Sequence, residues 1–438
     1  MPAADPHPDH PNLLFVFADQ LGALVTGCYG QPQVRTPNLD RLAEDAVRFE
    51  NAYTVAPLCT PFRGALFTGR YPAQTGIFRN GQRLPDGEPT LADRFNAAGY
   101  RTAYVGKWHL AGGPVGTWVP PGTRGGFTDF VGWDCGHARH LGQQYFDGDC
   151  PDELPLEGHE TDALTDIAIE RLQRHAAGDA PFCLFVSYQA PHPYCDPPEE
   201  YLAIYRDTEL AYRPTVDPDA RFTGYRNLAT GEQDLKTWTE RYFGEITHLD
   251  AALGRLFGEL DRLGLRENTV LVFTSDHGDM GGCHGRFEKS VAYEEATRIP
   301  VLVRGPGVTG GRVVAEPFSS IDFFPTLLGL CGLPPCPTAE GADWADHLAG
   351  RTDTAPRRDI IMQLASWACI RRGDEKLTLS LDGSETNALF RLSADPYETD
   401  NRVDDPAEEA TVHALAEAYR HFLQKLRERD GTPAGAAG

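Results

Sequence analysis

The sequence predicts an α/β fold built on a large, mostly parallel sheet flanked by helices. Five short apolar runs have the length and composition of buried strands, and they cover residues 12–18, 102–105, 182–187, 270–274 and 301–303. Segments with helical periodicity, such as 39–46 and 161–175, lie between them. This alternation of strand and helix is typical of a parallel sheet with helices on its faces.

Four of the predicted strands lead directly into polar residues. These clusters are Asp19-Gln20, Gly106-Lys107-Trp108-His109, Pro191-His192-Pro193 and Asp276-His277-Gly278-Asp279. Ligands of parallel sheets collect beyond the carboxyl ends of the strands. The four clusters therefore predict one composite site.

The character of the sequence changes after about residue 345. A polar stretch over 346–358 reads as a linker, and short runs at 360–363, 367–371, 376–381 and 388–392 predict a small antiparallel sheet. Apolar residues from Val412 to Leu426 fall on one face of a helix that we expect to pack on this sheet. We therefore divide the chain into a main domain over 1–345, a C-terminal α+β subdomain over 346–430 and a disordered tail over 431–438.

Composition limits the partners and the compartment. The chain has 438 residues, a 41% hydrophobic content and a formal net charge of −23, so it can bury a large core but lacks the basic surface that nucleic acids or anionic membranes require. The first eleven residues lack the order of a signal peptide, and no apolar run is long enough to span a bilayer. Ten cysteines without close regular spacing fit a reducing compartment, and we expect a cytoplasmic protein.

The most informative motif is Cys-Thr-Pro-Phe-Arg at residues 59–63. Thr60 can cap a helix, Pro61 suits the first turn of that helix, and Arg63 lies one turn beyond Cys59 on the same face. Backbone N–H groups and the helix dipole favour a sulfate or phosphate group at such a position. Arg63 adds a planar fork of hydrogen-bond donors for the same anion.

This motif, with its continuation Gly-Ala-Leu-Phe-Thr-Gly-Arg over 64–70, resembles the signature in which sulfatases convert a cysteine into formylglycine. Gly-Lys-Trp-His-Leu over 106–110 resembles their second signature, and the similarity runs from residue 12 to Asp-Pro-Tyr at 395–397. The chain is thus similar to formylglycine-dependent, type I sulfatases of the alkaline phosphatase superfamily, which implies an alkaline-phosphatase-like fold. Its Asp-Gln and Asp-His pairs are closest to those of certain bacterial sulfatases. Phe62 departs from the pattern, since the family usually has a small residue there.

The resemblance implies a divalent cation beside the modified residue 59. Its implied protein ligands are Asp19, Gln20, Cys59 (as formylglycine), Asp276 and His277. Gln20 stands where the family often has a second aspartate, so it offers only a neutral carbonyl oxygen. Family resemblance favours Ca²⁺, whereas the imidazole of His277 also suits Mn²⁺ or another divalent transition ion.

Further positions match residues that contact the sulfate group or the leaving oxygen. The resemblance implies that Lys107 and Lys289 neutralise sulfate oxygens, His109 hydrogen-bonds the formylglycine hydroxyls, and His192 protonates the leaving oxygen. Asn80 fits a further substrate contact or the turn that Gly81 favours, and His284 is a weaker candidate. Five residues occur in segments that could line the substrate pocket: Trp108, Trp133, His137, Arg139 and His140.

The implied reaction is hydrolysis of a sulfuric ester by covalent catalysis through residue 59, with the metal and Arg63 favouring an ionised nucleophile. The substrate is a small-molecule or saccharide sulfate ester, and a formylglycine-generating enzyme is the protein partner. A phosphonate monoester or phosphodiester hydrolase is an alternative, because sulfate and phosphoryl groups share a tetrahedral shape. The second alternative is a metal-binding homologue in which Cys59 stays unmodified and inactive.

Overall fold

A computed structural model describes residues 10–136, 139–217, 234–356 and 359–429, so the expected tail over 431–438 and His137 lie outside the described residues. The strands are β1 (Asn12–Asp19), β2 (Val47–Phe49), β3 (Ala52–Tyr53), β4 (Arg101–Lys107), β5 (Asp129–Trp133), β6 (Gln144–Asp147), β7 (Leu154–Pro155), β8 (Phe182–Pro191), β9 (Thr269–Ser275), β10 (Val301–Arg304), β11 (Arg312–Val314), β12 (Phe318–Ser319), β13 (Asp359–Leu364), β14 (Trp367–Arg372), β15 (Glu375–Leu379) and β16 (Thr386–Arg391). The α-helices are α1 (Pro37–Asp45), α2 (Cys59–Thr68), α3 (Pro72–Thr75), α4 (Leu91–Ala97), α5 (Glu160–Ala176), α6 (Glu199–Arg206), α7 (Leu235–Arg262), α8 (Glu294–Thr297), α9 (Phe323–Leu330), α10 (Ala345–Leu348) and α11 (Glu409–Arg429).

The main sheet has ten strands in the order β11-β2-β10-β9-β1-β8-β4-β5-β6-β7. Its centre, from β9 to β5, is entirely parallel. Antiparallel pairings occur on both sides of this centre, between β9 and β10 and between β5 and β6. The predicted large, mostly parallel sheet is therefore confirmed, and four of the five predicted strands lie in its parallel centre.

Helices cover both faces of this sheet because the central strands are apolar on both sides. In β1, Leu13, Phe15 and Phe17 contribute to one hydrophobic cluster, and the alternate residues Leu14 and Val16 contribute to the other. Helix α2 packs on the first face and helices α5 and α7 on the second. Because side chains alternate along a strand, α2 and α7 pack on opposite faces of the sheet.

The carboxyl ends of the four strands that carry the polar clusters lie at the same edge of the sheet. Strand order places β9, β1, β8 and β4 side by side, and Ala18 is in register with Ser275 while Asp19 is in register with Pro191. Gly106 of β4 is in register with Ser187 of β8. The residues that follow these strands are consequently brought together.

The small C-terminal sheet is antiparallel with the order β13-β14-β15-β16, as predicted, and α11 packs on it. Prediction of a linker over 346–358 is partly wrong, because helix α10 begins at Ala345 and continues to Leu348. Leu348 is fully buried in the main hydrophobic core, which explains why this polar stretch begins as part of the main domain.

All ten cysteines belong to the described part of the chain, and each is a free thiol. None of the described helices combines the length and the apolar character needed to cross a bilayer.

A buried ion cluster connects the C-terminal sheet to the main domain. Lys376 of β15 is fully buried, and its Nζ lies 2.8 Å from a carboxylate oxygen of Glu294 in α8 and 2.9 Å from one of Glu398. The hydroxyl of Tyr53 also donates to Glu294 at 2.7 Å. One ammonium therefore compensates two carboxylates that water does not reach.

We expect Lys376→Ala to lower the free energy of unfolding by about 3–5 kcal/mol, because it leaves two carboxylates buried without their cation. Urea-induced unfolding measures this loss. The matched control is Lys425→Ala, since Lys425 is an exposed lysine on α11 and its removal should change the free energy by less than about 0.5 kcal/mol. Equal midpoints for the two variants would contradict the prediction.

Candidate active site

Cys59 is the first residue of α2 and is completely buried. The prediction that Thr60 caps this helix is wrong, because the helix already begins at Cys59, two residues earlier than a Thr60 cap implies, and Leu58 occupies the cap position. Thr60 instead donates its hydroxyl to the main-chain oxygen of His109 at 3.1 Å, and its N–H donates to Oδ1 of Asn80 at 3.1 Å. Asn80 and His109 thus both lie beside the start of α2.

Arg63 lies one turn into α2, with its guanidinium fully buried. Its Nη1 donates to Oγ of Ser187 at 2.8 Å and to the main-chain oxygen of Lys107 at 2.5 Å. Its Nη2 lies 3.4 Å from Oδ2 of Asp19 and 3.8 Å from Oδ2 of Asp276. The guanidinium of Arg63 therefore contacts residues in or directly after four strands: β1, β4, β8 and β9.

Four buried side chains offer ligand atoms that all lie within 4.8 Å of one another: Asp19, Cys59, Asp276 and His277. Sγ of Cys59 is 3.3 Å from Nε2 of His277 and 3.6 Å from Oδ1 of Asp19. Nδ1 of His277 is 3.0 Å from the carbonyl oxygen of Gly278, so Nδ1 carries the proton and the lone pair on Nε2 faces the cluster.

This donor set fits a divalent cation. Oδ2 of Asp276 is buried and makes no hydrogen bond, although Arg63 is within ion-pair distance. Carboxylates are ordinary ligands of Ca²⁺ and Mn²⁺, and a neutral imidazole with an inward lone pair suits Mn²⁺ or another divalent transition ion. The predicted ligands Asp19, Asp276 and His277 are thus placed together with Cys59.

Charge and burial oppose each other in this cluster. Nζ of Lys107 lies 2.5 Å from Oδ2 of Asp19 and 3.8 Å from Sγ of Cys59. Burial alone would raise the pKa of Asp19, but Lys107 and the other nearby cations hold that pKa well below its ordinary value. Burial, reinforced by Asp19, raises the pKa of Asp276 and raises that of the Cys59 thiol to about 12. Burial lowers the pKa of His277, which favours the neutral ring that a metal requires.

Gln20 connects the cluster to the two residues predicted at the substrate. Its main-chain N–H donates to Oδ1 of Asp276 at 3.0 Å, and its amide oxygen accepts a hydrogen bond from Nζ of Lys289. The same Nζ lies 2.8 Å from Nε2 of His192. Asp279, which sequence analysis placed in a polar cluster but gave no role, accepts a hydrogen bond from Nε2 of Gln20.

Several residues of the site have left-handed backbone conformations that non-glycine residues rarely adopt. The φ angles are 70° at Gln20, 64° at His109, 68° at Glu288 and 74° at Ser290. Two of these residues flank Lys289, and the other two belong to the predicted site themselves. Such conformations persist only where the surrounding structure holds them, and they concentrate at functional sites.

Not every candidate joins the site. Trp108 and Trp133 are fully buried in the hydrophobic clusters on opposite faces of the sheet, so the expectation that they line a substrate pocket is wrong. His284 stacks on Tyr293 with ring centroids 4.0 Å apart. Arg139 is exposed, and His140 is buried behind the main chain of His192.

The sequence did not identify three residues that form hydrogen bonds with Arg63 or Gln20 and so support the site. Ser187 and Tyr104 both accept hydrogen bonds from Arg63, and the hydroxyl of Tyr242 in α7 donates to the main-chain oxygen of Gln20 at 2.5 Å. Ser187 was detectable as a polar residue at the end of an apolar run. Tyr242 left no local signal, because its role depends on how α7 packs against the strand ends.

Two protein-family models match this chain. A family model described as "Sulfatase" matches residues 11–333, and one described as "N-sulphoglucosamine sulphohydrolase, C-terminal" matches residues 282–425. The chain belongs to the sulfatase family.

Individual relatives support the same assignment. The ulvan-active sulfatase of Formosa agariphila is 34% identical over 433 residues, covering 96% of this chain and 82% of the relative. Human arylsulfatase A is 34% identical over 416 residues, covering 88% and 77%. The crystal structure of the yidJ protein of Bacteroides fragilis has a TM-score of 0.87 at 26% identity and covers 98% of both chains. A phosphonate monoester hydrolase of Agrobacterium radiobacter, at 24% identity, TM-score 0.76 and 96% coverage of both chains, shares the fold.

The protein is therefore an enzyme that hydrolyses sulfate esters, as the motifs around Cys59 and Lys107 predicted.

We expect Asp19→Ala and Asp276→Ala each to lower the metal content of the purified protein, because each removes a carboxylate from the same buried cluster. Metal analysis by mass spectrometry gives the stoichiometry. Asp250→Asn is the matched control, since Asp250 is a buried carboxylate that accepts hydrogen bonds from the start of α1 instead. Full metal content in both alanine variants would refute the ligand assignment.

Proposed function

We propose that this sulfatase cleaves a sulfate monoester through an oxygen nucleophile at residue 59, formed when a formylglycine-generating enzyme converts Cys59 to formylglycine. The observation that carries the proposal is the position of Cys59 at the start of α2, within 4.8 Å of three groups suited to a divalent cation. Arg63 and Lys107 add two fixed positive charges to the same cluster, and both pair with Oδ2 of Asp19. Formylglycine would supply a hydrated aldehyde, one hydroxyl of which attacks sulfur.

The cation would be held by Asp19, Asp276, His277 and residue 59, with Gln20 as a further oxygen donor. We propose Ca²⁺ first, with Mn²⁺ or another divalent ion as the alternative that the His277 imidazole suits. When bound, the cation would supply positive charge that favours an ionised nucleophile and stabilises the transferring group.

Positive side chains on two sides of residue 59 would bind the sulfate group. Lys107 approaches from the end of β4, and Lys289 approaches from the loop between β9 and α8. Both ammonium groups would stabilise negative charge on the sulfate oxygens as the S–O bond breaks. Asn80, whose Oδ1 accepts from Thr60, presents its exposed amide at the entrance and would contact the substrate there.

Two histidines would move protons. Nδ1 of His192 donates to the main-chain oxygen of Pro193 at 2.5 Å, and Nε2 faces Nζ of Lys289 at 2.8 Å. Nε2 is therefore the nitrogen that would carry a proton to the leaving oxygen once the sulfate group draws Lys289 away from it. His109, buried beside the start of α2, would accept a proton from the second hydroxyl of the nucleophile before sulfate is released. These roles are those of a general base for His109 and a general acid for His192.

We propose that the substrate is a sulfate ester of a saccharide. Support comes from relatives whose names state such substrates, including the ulvan-active sulfatase and an N-acetylglucosamine-6-O-sulfatase of Bacteroides thetaiotaomicron that is 25% identical. A sugar hydroxyl is a poor leaving group, so its sulfate ester benefits from an acid in the position of His192. We also propose a cytoplasmic location, where the nine cysteines other than Cys59 remain reduced thiols.

We expect residue 59 of the active enzyme to have lost its sulfur, so that mass spectrometry of the peptide containing it finds the aldehyde and its hydrate. Cys369, which is equally buried but lies in β14, serves as the internal control and should remain a thiol. Cys59→Ala should remove turnover while leaving the unfolding transition in place. A fully unmodified Cys59 in a preparation with high turnover would exclude the proposed nucleophile.

We expect His192→Ala to impair hydrolysis of a sugar or alkyl sulfate more than hydrolysis of nitrophenyl sulfate, because a good leaving group needs little protonation. General acid catalysis contributes about 10²- to 10⁴-fold to a rate. We therefore expect kcat/KM for the alkyl sulfate to decrease by a factor within that range. The ratio of kcat/KM for the two substrates is the measurement, under conditions in which chemistry limits the rate. An equal loss on both substrates would assign His192 to sulfate binding instead.

A further inference from the structure

A second cluster of buried titratable groups lies directly behind His192. His140, His159 and Glu245 have ligand-type atoms within 4.8 Å of one another, and all three are buried. Nε2 of His140 is 3.0 Å from the main-chain oxygen of His192. Oε2 of Glu160 lies 3.4 Å from Nδ1 of His140 on the other side of the ring.

The positions of the protons argue that this cluster does not hold a metal. Nδ1 of His159 accepts a hydrogen bond from the main-chain N–H of Thr161, so the ring carries its proton on Nε2, which lies 3.5 Å from Oε1 of Glu245. Nε2 of His140 faces a carbonyl oxygen and must therefore also be protonated. The nitrogens nearest Glu245 consequently have no lone pair to offer a cation.

The same contacts favour a charged His140. Burial alone would lower the pKa of His140, but Glu245 and Glu160 raise it to about 9. Burial and the neighbouring His140 lower the pKa of His159 to about 3. The cluster therefore contains one imidazolium, on His140, and carboxyl groups on both sides of it.

We propose that His140 is a positioning residue for His192, which it holds by donating Nε2–H to the main-chain carbonyl of His192 while Glu160 and Glu245 fix the His140 ring. This inference rests on the proposed role of His192 as the general acid. His140 touches neither the sulfate group nor the leaving oxygen in this arrangement. Its effect is transmitted through the peptide that carries the acid.

Rigid elements on two sides make this arrangement effective. Glu160 is the first residue of α5, and Glu245 lies within the long helix α7. His192 itself follows β8 and lies outside regular structure, so its main-chain carbonyl needs an external donor. A displacement of about 1 Å at a catalytic group can reduce a rate about 10²-fold.

The test compares His140→Leu with His140→Gln on a sugar or alkyl sulfate and on nitrophenyl sulfate. The leucine removes the donor, and we expect kcat for the alkyl sulfate to fall about 10- to 100-fold while kcat for nitrophenyl sulfate falls less than about 3-fold. Glutamine keeps an N–H donor at a similar reach and should restore most of the lost kcat. KM should change little, because His140 does not contact the sulfate group.

His248→Leu is the matched control. His248 is an equally buried histidine one turn from Glu245 on α7, but it pairs with Asp162 and does not contact His192. We expect it to lower the melting temperature as much as His140→Leu does, with no change in the ratio of the two substrates. A shift of that ratio in His248→Leu, or an equal loss on both substrates in His140→Leu, would overturn the proposal.

Two further measurements separate failure of this inference from failure of the proposed function. If His192→Ala selectively loses activity on the alkyl sulfate and His140→Leu does not, only the inference fails. On the His192→Ala background, His140→Leu should cause no additional loss on either substrate. Metal analysis of His140→Leu should match the wild type, and loss of a metal equivalent would show that the cluster is a metal site and overturn the proposal.

Discussion

The site depends on the ion pair between Asp19 and Lys107, which joins the end of β1 to the end of β4. Asp19 ends β1 and Lys107 ends β4, with β8 between them, and both side chains are fully buried. Removing a carboxylate from water costs several kcal/mol unless a cation and hydrogen bonds replace the solvent. Lys107 and Arg63 do so for Asp19, which lets a carboxylate remain ionised within the protein and available to a divalent cation.

Helix α2, which begins at Cys59, packs on two cores at once. Phe62 and Leu66 pack on the main sheet, whereas Ala65 contacts the cluster formed by the C-terminal sheet and α11. Phe62, the departure from the usual motif, is fully buried 6.2 Å from the ring of Phe17, so its bulk is accommodated within the folded protein. The start of α2 is thereby fixed relative to both domains.

The parallel sheet and its composite site were predictable because strand ends can be read from apolar runs that stop at polar residues. Asp19, Lys107, His192 and Asp276 all follow this rule. The start of α2 was misplaced by two residues, since Thr60 suits a cap by type but donates to His109 instead. Tyr242 and the partners of His140 could not be predicted, because they come from helices whose packing leaves no periodic signal in the sequence.

Helix α7 contacts the back of the site at two places. Tyr242 donates to the main chain of Gln20, and Glu245, three residues later, faces His140 behind His192. Residues three apart on a helix share a face and are separated by about 4.5 Å along its axis. A single turn of α7 thus supports the backbone beside two parts of the site, Gln20 directly and His192 through His140. A shift of register within α7 would accordingly displace both contacts together.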